Sequence, residues 1–263
     1  MDIVMLGHGG VGKSSYLSLM YAAMRDGIQG FGLCAQEASL HEELTSEAEE
    51  VLRGRRPGAD RRRDVLDLLL HYQGRAVLPV RWCDHRYLPG RPGEGVFSGL
   101  TRADGIMVFA DAPRLLGDDP YRAALHRMAA LVQPALAERD GRLTPLVLVF
   151  TKCDRLPSAA GTPAPLDLLL EPFEGVIARV AVTENLRGAV ALVACGREPA
   201  GVTVPVLWIL HHAIVGRGLA LHAALTPGRV LAPADKAAEY ERLEPLFAPA
   251  ERLVTLLSHV PSF

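Results

Sequence analysis

The chain has 263 residues, of which 49% are apolar, and its formal net charge is −2. This length suffices for one sizeable domain with some additional structure, or for two small domains. The near-neutral charge argues against a global field that would draw the protein to nucleic acid or to an anionic membrane. Four widely spaced cysteines without C-x-x-C spacing argue against a zinc site or disulfide framework and favour reduced thiols in a cytoplasmic protein. The sequence opens directly on a strand, so we expect no signal peptide.

A glycine-rich stretch, G-H-G-G-V-G-K-S at 7–14, follows an apolar strand at 3–6 and precedes a helical stretch at 16–25. This context predicts a phosphate-binding loop, because glycines let successive backbone N–H groups wrap a polyphosphate. Lys13 would reach the β- and γ-phosphates and Ser14 would hold Mg²⁺. The alternative is an ordinary glycine-rich turn between strand and helix that binds no ligand. The residues predicted to contact the nucleotide here are Gly7, Gly9, Gly10, Val11, Gly12, Lys13, Ser14 and Ser15.

The region after the first helix contains an acidic helix and then an arginine-rich stretch. Glycines at 27, 30 and 32 indicate a loop, and a capping box beginning at Ser39 predicts a helix that ends near Gly54. Six arginines follow within residues 53–63. They form either a solvated loop or a partner-binding or phosphate-sensing switch loop. Nucleic-acid binding is disfavoured, because no aromatic residues interleave the arginines.

The remaining pattern alternates strands and helices. A hairpin at 65–83 ends in Asp84, and a loop rich in glycine and proline follows at 89–99. Further strands are predicted at 106–111, 146–150 and 189–194, and helices at 119–138, 167–180 and 205–216. The last of these helices is the most apolar, but at about 11 residues it would be too short to span a bilayer.

This order predicts an α/β fold of the P-loop NTPase type, with a doubly wound, mostly parallel sheet. We expect about six strands, one of them an antiparallel hairpin strand. The main domain would cover residues 1–225, with a helix and arginine-rich insertion at about 37–64. Two short helices without a strand between them predict a C-terminal helical appendage at 226–263.

Four chemically suggestive groups follow predicted strands, at the edge where open α/β sheets bind ligands. The phosphate loop is the first, and Asp84, which could hold Mg²⁺ through water, is the second. The third is Thr151-Lys152-Cys153-Asp154, and the fourth is Ala194-Cys195-Gly196.

In this order and spacing, residues 1–216 resemble the Ras-like GTPases of the translation-factor-related P-loop class. The resemblance implies that Asp154 accepts hydrogen bonds from the guanine N1 and N2 donors, and that the Lys152 stem covers the ring. It implies that a backbone N–H near Cys195 contacts the guanine oxygen, and that GTP or GDP and Mg²⁺ are the cofactors. The chain is most similar to the bacterial double-GTPase-type branch, through Arg56-Pro57-Gly58-Ala59 and Asp84-His85-Arg86-Tyr87-Leu88.

Three positions depart from the family pattern. Tyr87 stands in the slot of a γ-phosphate-binding glycine, Leu88 in that of a water-positioning glutamine, and Ala59 near that of the switch threonine. The first hypothesis is a slow GTPase switch that hydrolyses GTP to GDP and phosphate with Mg²⁺, in which Arg86, an arginine of the 53–63 stretch or an activating protein partner neutralises developing charge. The alternative is a pseudo-GTPase scaffold that binds nucleotide and acts through protein partners. A kinase or ATPase is the third hypothesis, and it conflicts with Asp154.

Overall fold

The computed structural model describes residues 1–55, 64–87, 94–139, 141–156, 166–225 and 234–263. Within them, one sheet has the strand order β2-β3-β4-β1-β5-β6-β7. β3 runs antiparallel to both of its neighbours, and the other ladders are parallel. The single antiparallel strand predicted from the hairpin is therefore confirmed. The strands are β1 (Asp2–Gly7), β2 (Phe31–Ala35), β3 (Val65–Tyr72), β4 (Arg75–Arg86), β5 (Gly105–Asp111), β6 (Thr144–Thr151) and β7 (Leu186–Leu192).

Helices cover both faces of the sheet. Tyr16 packs against Phe109, and Ile209 lies over Gly105; both contacts are on one face of β5, so α1 and α8 share that face. In the other layer, α5 packs against both α3 and α7. The helices are α1 (Lys13–Arg25), α2 (Ala38–Leu52), α3 (Glu94–Arg102), α4 (Ala112–Gly117), α5 (Asp119–Ala137), α6 (Leu166–Leu170), α7 (Glu174–Ala181), α8 (Val204–Leu225), α9 (Ala234–Leu243) and α10 (Phe247–Leu257).

Two elements lie where the sequence predicted loops. β2 forms the edge of the sheet beside β3, so the sheet has seven strands rather than about six. Its glycine suggests a loop, but Phe31 and Leu33 are fully buried and supply the packing that holds the strand. α3 occupies half of the predicted glycine- and proline-rich loop, with Val96 and Leu100 buried. The predicted capping box is also wrong, since α2 begins at Ala38 without a side-chain cap.

α8 is twice as long as predicted and runs through Gly216 for 22 residues. By length and composition it is the one helix among the described residues that could cross a membrane, although 67% of its most apolar stretch is buried in the protein. A helix buried in the core of a protein can have the same length and the same apolar composition as a membrane-spanning helix. Glycine at 216 and 218 reflects close packing, since a Cβ there would overlap Leu143 or Phe247.

The C-terminal region is helical, as predicted, and its last residues return to the sheet. α9 and α10 pack on α8. Phe263 and Gly188 exchange backbone hydrogen bonds of 3.0 Å, and the Val190 N–H donates to the Pro261 carbonyl at 2.9 Å. The Phe263 ring lies on Gly188, where a Cβ would overlap it. Residues 261–263 therefore cover the outer edge of β7 and pair with it, which removes an exposed strand edge.

Candidate nucleotide-binding site

The glycine-rich stretch forms a tight turn between β1 and α1, at the carboxyl end of β1. Gly12 has φ 101°, a conformation that favours glycine, and α1 begins at the next residue. A Cβ on Gly7 would lie 3.0 Å from the Phe109 Cβ. Backbone N–H groups at the start of α1 have no helical carbonyl to pair with, so this turn has the local structure of an anion site.

Lys13 lies inside this turn and is 7% exposed. Its ammonium donates to the Gly7 carbonyl at 2.8 Å and lies 3.4 Å from the His8 carbonyl. Asp84 Oδ1, from the end of β4, is 3.5 Å from the same nitrogen. The fold thus brings together the cation and the carboxylate that the sequence predicted for phosphate and for metal.

The donor set beside the turn fits Mg²⁺ bound together with a nucleotide. Ser14 is exposed in the first turn of α1, next to Lys13, and Asp84 supplies one carboxylate. Among the described residues no cluster of three histidine, cysteine or acidic side chains could hold a metal. Mg²⁺ commonly uses one or two protein ligands and takes its other oxygens from phosphates and water. A hydroxyl and a carboxylate are therefore sufficient here.

The Arg86 guanidinium lies over Gly9. A Cβ on Gly9 would stand 2.6 Å from the Arg86 Cζ, so only glycine leaves room for this side chain. Arg86 is exposed otherwise. A planar cation at this position can contact the terminal phosphate of a nucleotide bound in the turn.

The backbone N–H of Tyr87 is not free to bind a γ-phosphate. Its backbone N–H donates to the Gly7 carbonyl at 3.0 Å and extends the ladder between β4 and β1. Its ring is buried and meets His8 edge-to-face at 5.0 Å, and Tyr121 flanks the same imidazole at 5.6 Å. Burial lowers the pKa of His8, so the neutral imidazole is favoured. His8 therefore packs as a structural residue.

Lys152 links the end of β6 to the phosphate turn. Its ammonium donates to the Gly10 carbonyl at 2.9 Å and to the buried Asp111 carboxylate. Lys152 has φ 59°, a left-handed conformation that costs a non-glycine residue on the order of 1–2 kcal/mol. Thr151 is fully buried; its hydroxyl donates to the Val11 carbonyl and lies 3.2 Å from the Ala110 carbonyl. Two consecutive residues thus fix the β6 loop to the phosphate turn.

Asp154 and Cys195 come from the neighbouring loops after β6 and β7. Asp154 is exposed, and its Oδ2 lies 3.5 Å from where a Cβ on Gly196 would stand. Burial raises the pKa of the Cys195 thiol to about 12, with the Asp154 charge as a smaller cause. Burial likewise raises the pKa of Cys153 to about 11. Both thiols are therefore neutral, and Asp154 is the acidic side chain beside Gly196.

No known protein family and no curated protein matches the sequence. Among solved structures, the fold is similar to the signal recognition particle receptor SRb-GTP/SRX complex from Chaetomium thermophilum, at a TM-score of 0.46 and 13% identity over 80% of this chain and 96% of that one. It is also similar to a GTP-binding protein from Sulfolobus solfataricus in complex with GDP, at a TM-score of 0.37 and 10% identity over 74% of this chain and 46% of that one. A probable GTP-binding protein engB aligns at a TM-score of 0.37 and 11% identity over 74% of this chain and 89% of that one. All three TM-scores lie below 0.5, so these similarities carry no conclusion about function.

The structure gathers the predicted site residues at one edge of the sheet. Leu88, Ala59 and most of the arginine-rich stretch lie outside the described residues. Asp111 and Tyr121 were missed: Asp111 binds Lys152, and the Asp111 N–H donates to the Tyr121 hydroxyl at 2.9 Å. The sequence could have indicated Asp111, because this residue ends a buried strand at the same ligand-binding edge of the sheet.

Proposed function

We propose that this protein binds guanine nucleotides with Mg²⁺ and acts as a slow GTPase switch. The observation that carries the proposal is the fixed link between two loops, in which Lys152 contacts Gly10 and Thr151 contacts Val11. One loop can hold phosphates, and the other carries Asp154 beside Gly196. A carboxylate held there accepts from the paired N1 and N2 donors of guanine, and adenine has no such pair.

In this proposal, different residues of the chain bind the phosphates, the metal and the base of the nucleotide. Lys13 exchanges its carbonyl contacts for β- and γ-phosphate oxygens, and Ser14 and Asp84 hold the Mg²⁺. When bound, the metal neutralises phosphate charge. The Lys152 stem covers the base, and backbone near Cys195 contacts the guanine oxygen.

Arg86 is the residue proposed to support cleavage. Its guanidinium already lies over Gly9, so it can approach the γ-phosphate without a large movement and stabilise charge that develops in the transition state. An arginine in this role can act from within the same chain. Leu88 stands in the slot of a water-positioning glutamine and cannot orient water, so we expect slow turnover.

One observation favours the alternative of a pseudo-GTPase scaffold. The Tyr87 N–H is used by the Gly7 carbonyl and its ring is buried, so a γ-phosphate would have to break a sheet hydrogen bond to use that group. In the scaffold, a protein partner would recognise the nucleotide-bound form, and GTP would not be cleaved. We assign residues 1–225 to the nucleotide-binding domain and residues 226–263 to the appendage under either function, and we place the protein in the cytoplasm.

The test measures binding of GTP and ATP, with and without Mg²⁺, together with phosphate release. We expect tight Mg²⁺-dependent GTP binding and single-turnover release that falls in Lys13→Ala and Arg86→Ala. Binding without release above the Lys13→Ala background supports the scaffold. Asp154→Asn should shift preference from guanine toward xanthine nucleotides under both functions, and an unchanged base preference would refute the guanine assignment.

A further inference from the structure

A cavity of about 340 Å³ lies between α8 and α9. Asp104, just before β5, and Leu143, just before β6, line it, so it opens at the amino ends of the parallel strands. The phosphate turn lies at their carboxyl ends. The cavity is therefore at the opposite edge of the sheet from the nucleotide site, and its volume falls in the range of small-molecule pockets.

The interior of the cavity is apolar because of what α8 presents to it. Ala213, Ala220 and Ala224 line this wall at helical spacing, and their short side chains do not fill the space in front of Leu143 and Leu243. Longer aliphatic side chains at these positions would close the gap. At roughly 30 Å³ per water-sized group, the space accommodates on the order of ten heavy atoms.

Charged residues surround the cavity, and most of them pair with one another. Arg217 donates to Glu239 and lies 3.7 Å from Asp104, and Arg142 lies 3.4 Å from the same Asp104. Lys236 also lines the cavity, is exposed, and has no carboxylate within ion-pair distance among the described residues. Lys236 can therefore pair with the carboxylate of a ligand, which would be stabilised beside it.

We propose that this cavity binds a small amphipathic anion, with an unbranched aliphatic carboxylate of about ten carbons as the fitting class. The aliphatic chain lies against the alanine face of α8, and the carboxylate lies at the mouth beside Lys236. Because α8 and α9 form facing walls, the bound anion fixes α9 against α8. This site is independent of the nucleotide proposal.

The test titrates sodium decanoate, below its micelle concentration, into the full chain by calorimetry. We expect saturable binding of one decanoate per chain and at least tenfold weaker binding of decyltrimethylammonium, which has the same tail and the opposite charge. Absence of saturation, or equal affinity for the two probes, overturns the proposal. Lys13→Ala should bind decanoate normally, which separates this result from any failure of nucleotide binding.

Variants locate the bound probe. Ala213→Trp, at a buried position that lines the cavity, should fill it and abolish decanoate binding, whereas Leu219→Trp, at a position with 66% exposure, should not. Native affinity in Ala213→Trp overturns the proposal. Circular dichroism verifies folding. If Ala213→Trp does not fold, Lys236→Gln decides: Lys236 is exposed, so the variant should fold, its affinity for decanoate should fall several-fold, and unchanged affinity overturns the proposal.

Discussion

A single methyl group at Gly9 would collide with the Arg86 guanidinium, since the added Cβ would lie 2.6 Å from Cζ. The guanidinium is the end of a flexible side chain, so the collision should move Arg86 rather than unfold the turn. This pair therefore offers a way to displace the proposed charge-stabilising group without removing it.

We expect Gly9→Ala to lower single-turnover GTP cleavage by about tenfold or more, because an arginine at the γ-phosphate supplies transition-state stabilisation of at least that size. GTP affinity should change by only a few-fold. Arg86→Ala should lose as much, and the double variant should lose no more than either single variant. Additive losses would show that Gly9 and Arg86 act separately.

The Thr151 hydroxyl is the residue-scale link between the β6 loop and the phosphate turn. Thr151→Val keeps the shape and removes the donor, leaving the Val11 and Ala110 carbonyls without it. Buried groups that lose a partner cost about 1–3 kcal/mol, so urea denaturation of the nucleotide-free protein should show a loss of this size. Thr183→Val removes an exposed hydroxyl bond to Arg179 and should change stability by less than about 0.5 kcal/mol. Equal effects of the two substitutions would contradict the proposed link.

Among the elements, α8 carries the packing of the C-terminal region. His211 Nδ1 and the Ala250 carbonyl of α10 are 2.7 Å apart, and His212 packs against Trp208 at 4.3 Å between ring centroids. Burial lowers the pKa of His212 to about 4, with His211 and Arg187 as smaller causes. Burial of the His212 side chain therefore favours its neutral form.

This shift predicts how stability depends on pH. In the unfolded chain the pKa of His212 is about 6.5, so as pH falls from about 6.5 to about 4 the unfolded state takes up a proton that the folded state does not. Stability is lost in that window. His212→Gln should lose less stability than the native protein between pH 6.5 and 4 in denaturation experiments. His259→Gln, at an exposed position, should keep the native slope; identical slopes for all three proteins would contradict the assignment.

The elements also show what the sequence could and could not predict. The buried parallel strands and the phosphate turn follow from continuous apolar runs and from the glycine, lysine and serine pattern. β2 could not be predicted, because its identity as a strand comes from pairing with Leu68–Tyr72 of β3, a tertiary contact. The length of α8 was underestimated because Gly216 suggests a helix end, whereas its missing side chain serves contact with Leu143. The Asp111–Lys152 pair likewise depends on two loops meeting in space.

For the whole molecule, nucleotide binding and folding are linked, because the proposed site is assembled from four separate loops. A ligand present at about 100 times its Kd raises the unfolding free energy by about 2.7 kcal/mol. For a chain of this size that corresponds to a Tm increase of roughly 5–10 °C. We expect GDP with Mg²⁺ to produce it and ADP with Mg²⁺ not to. A shift of the same size with ADP would contradict the guanine preference.

The pairing of residues 261–263 with β7 also constrains the order of folding. The two partners are separated in sequence by α8, α9 and α10, so loop closure makes this contact costly until those helices have packed. During synthesis, β7 completes its ladder with β6 while its other side still lacks a partner. Opening of the short terminal segment would be among the cheapest fluctuations of the native state, and the amides of Gly188 and Val190 would report it through faster hydrogen exchange.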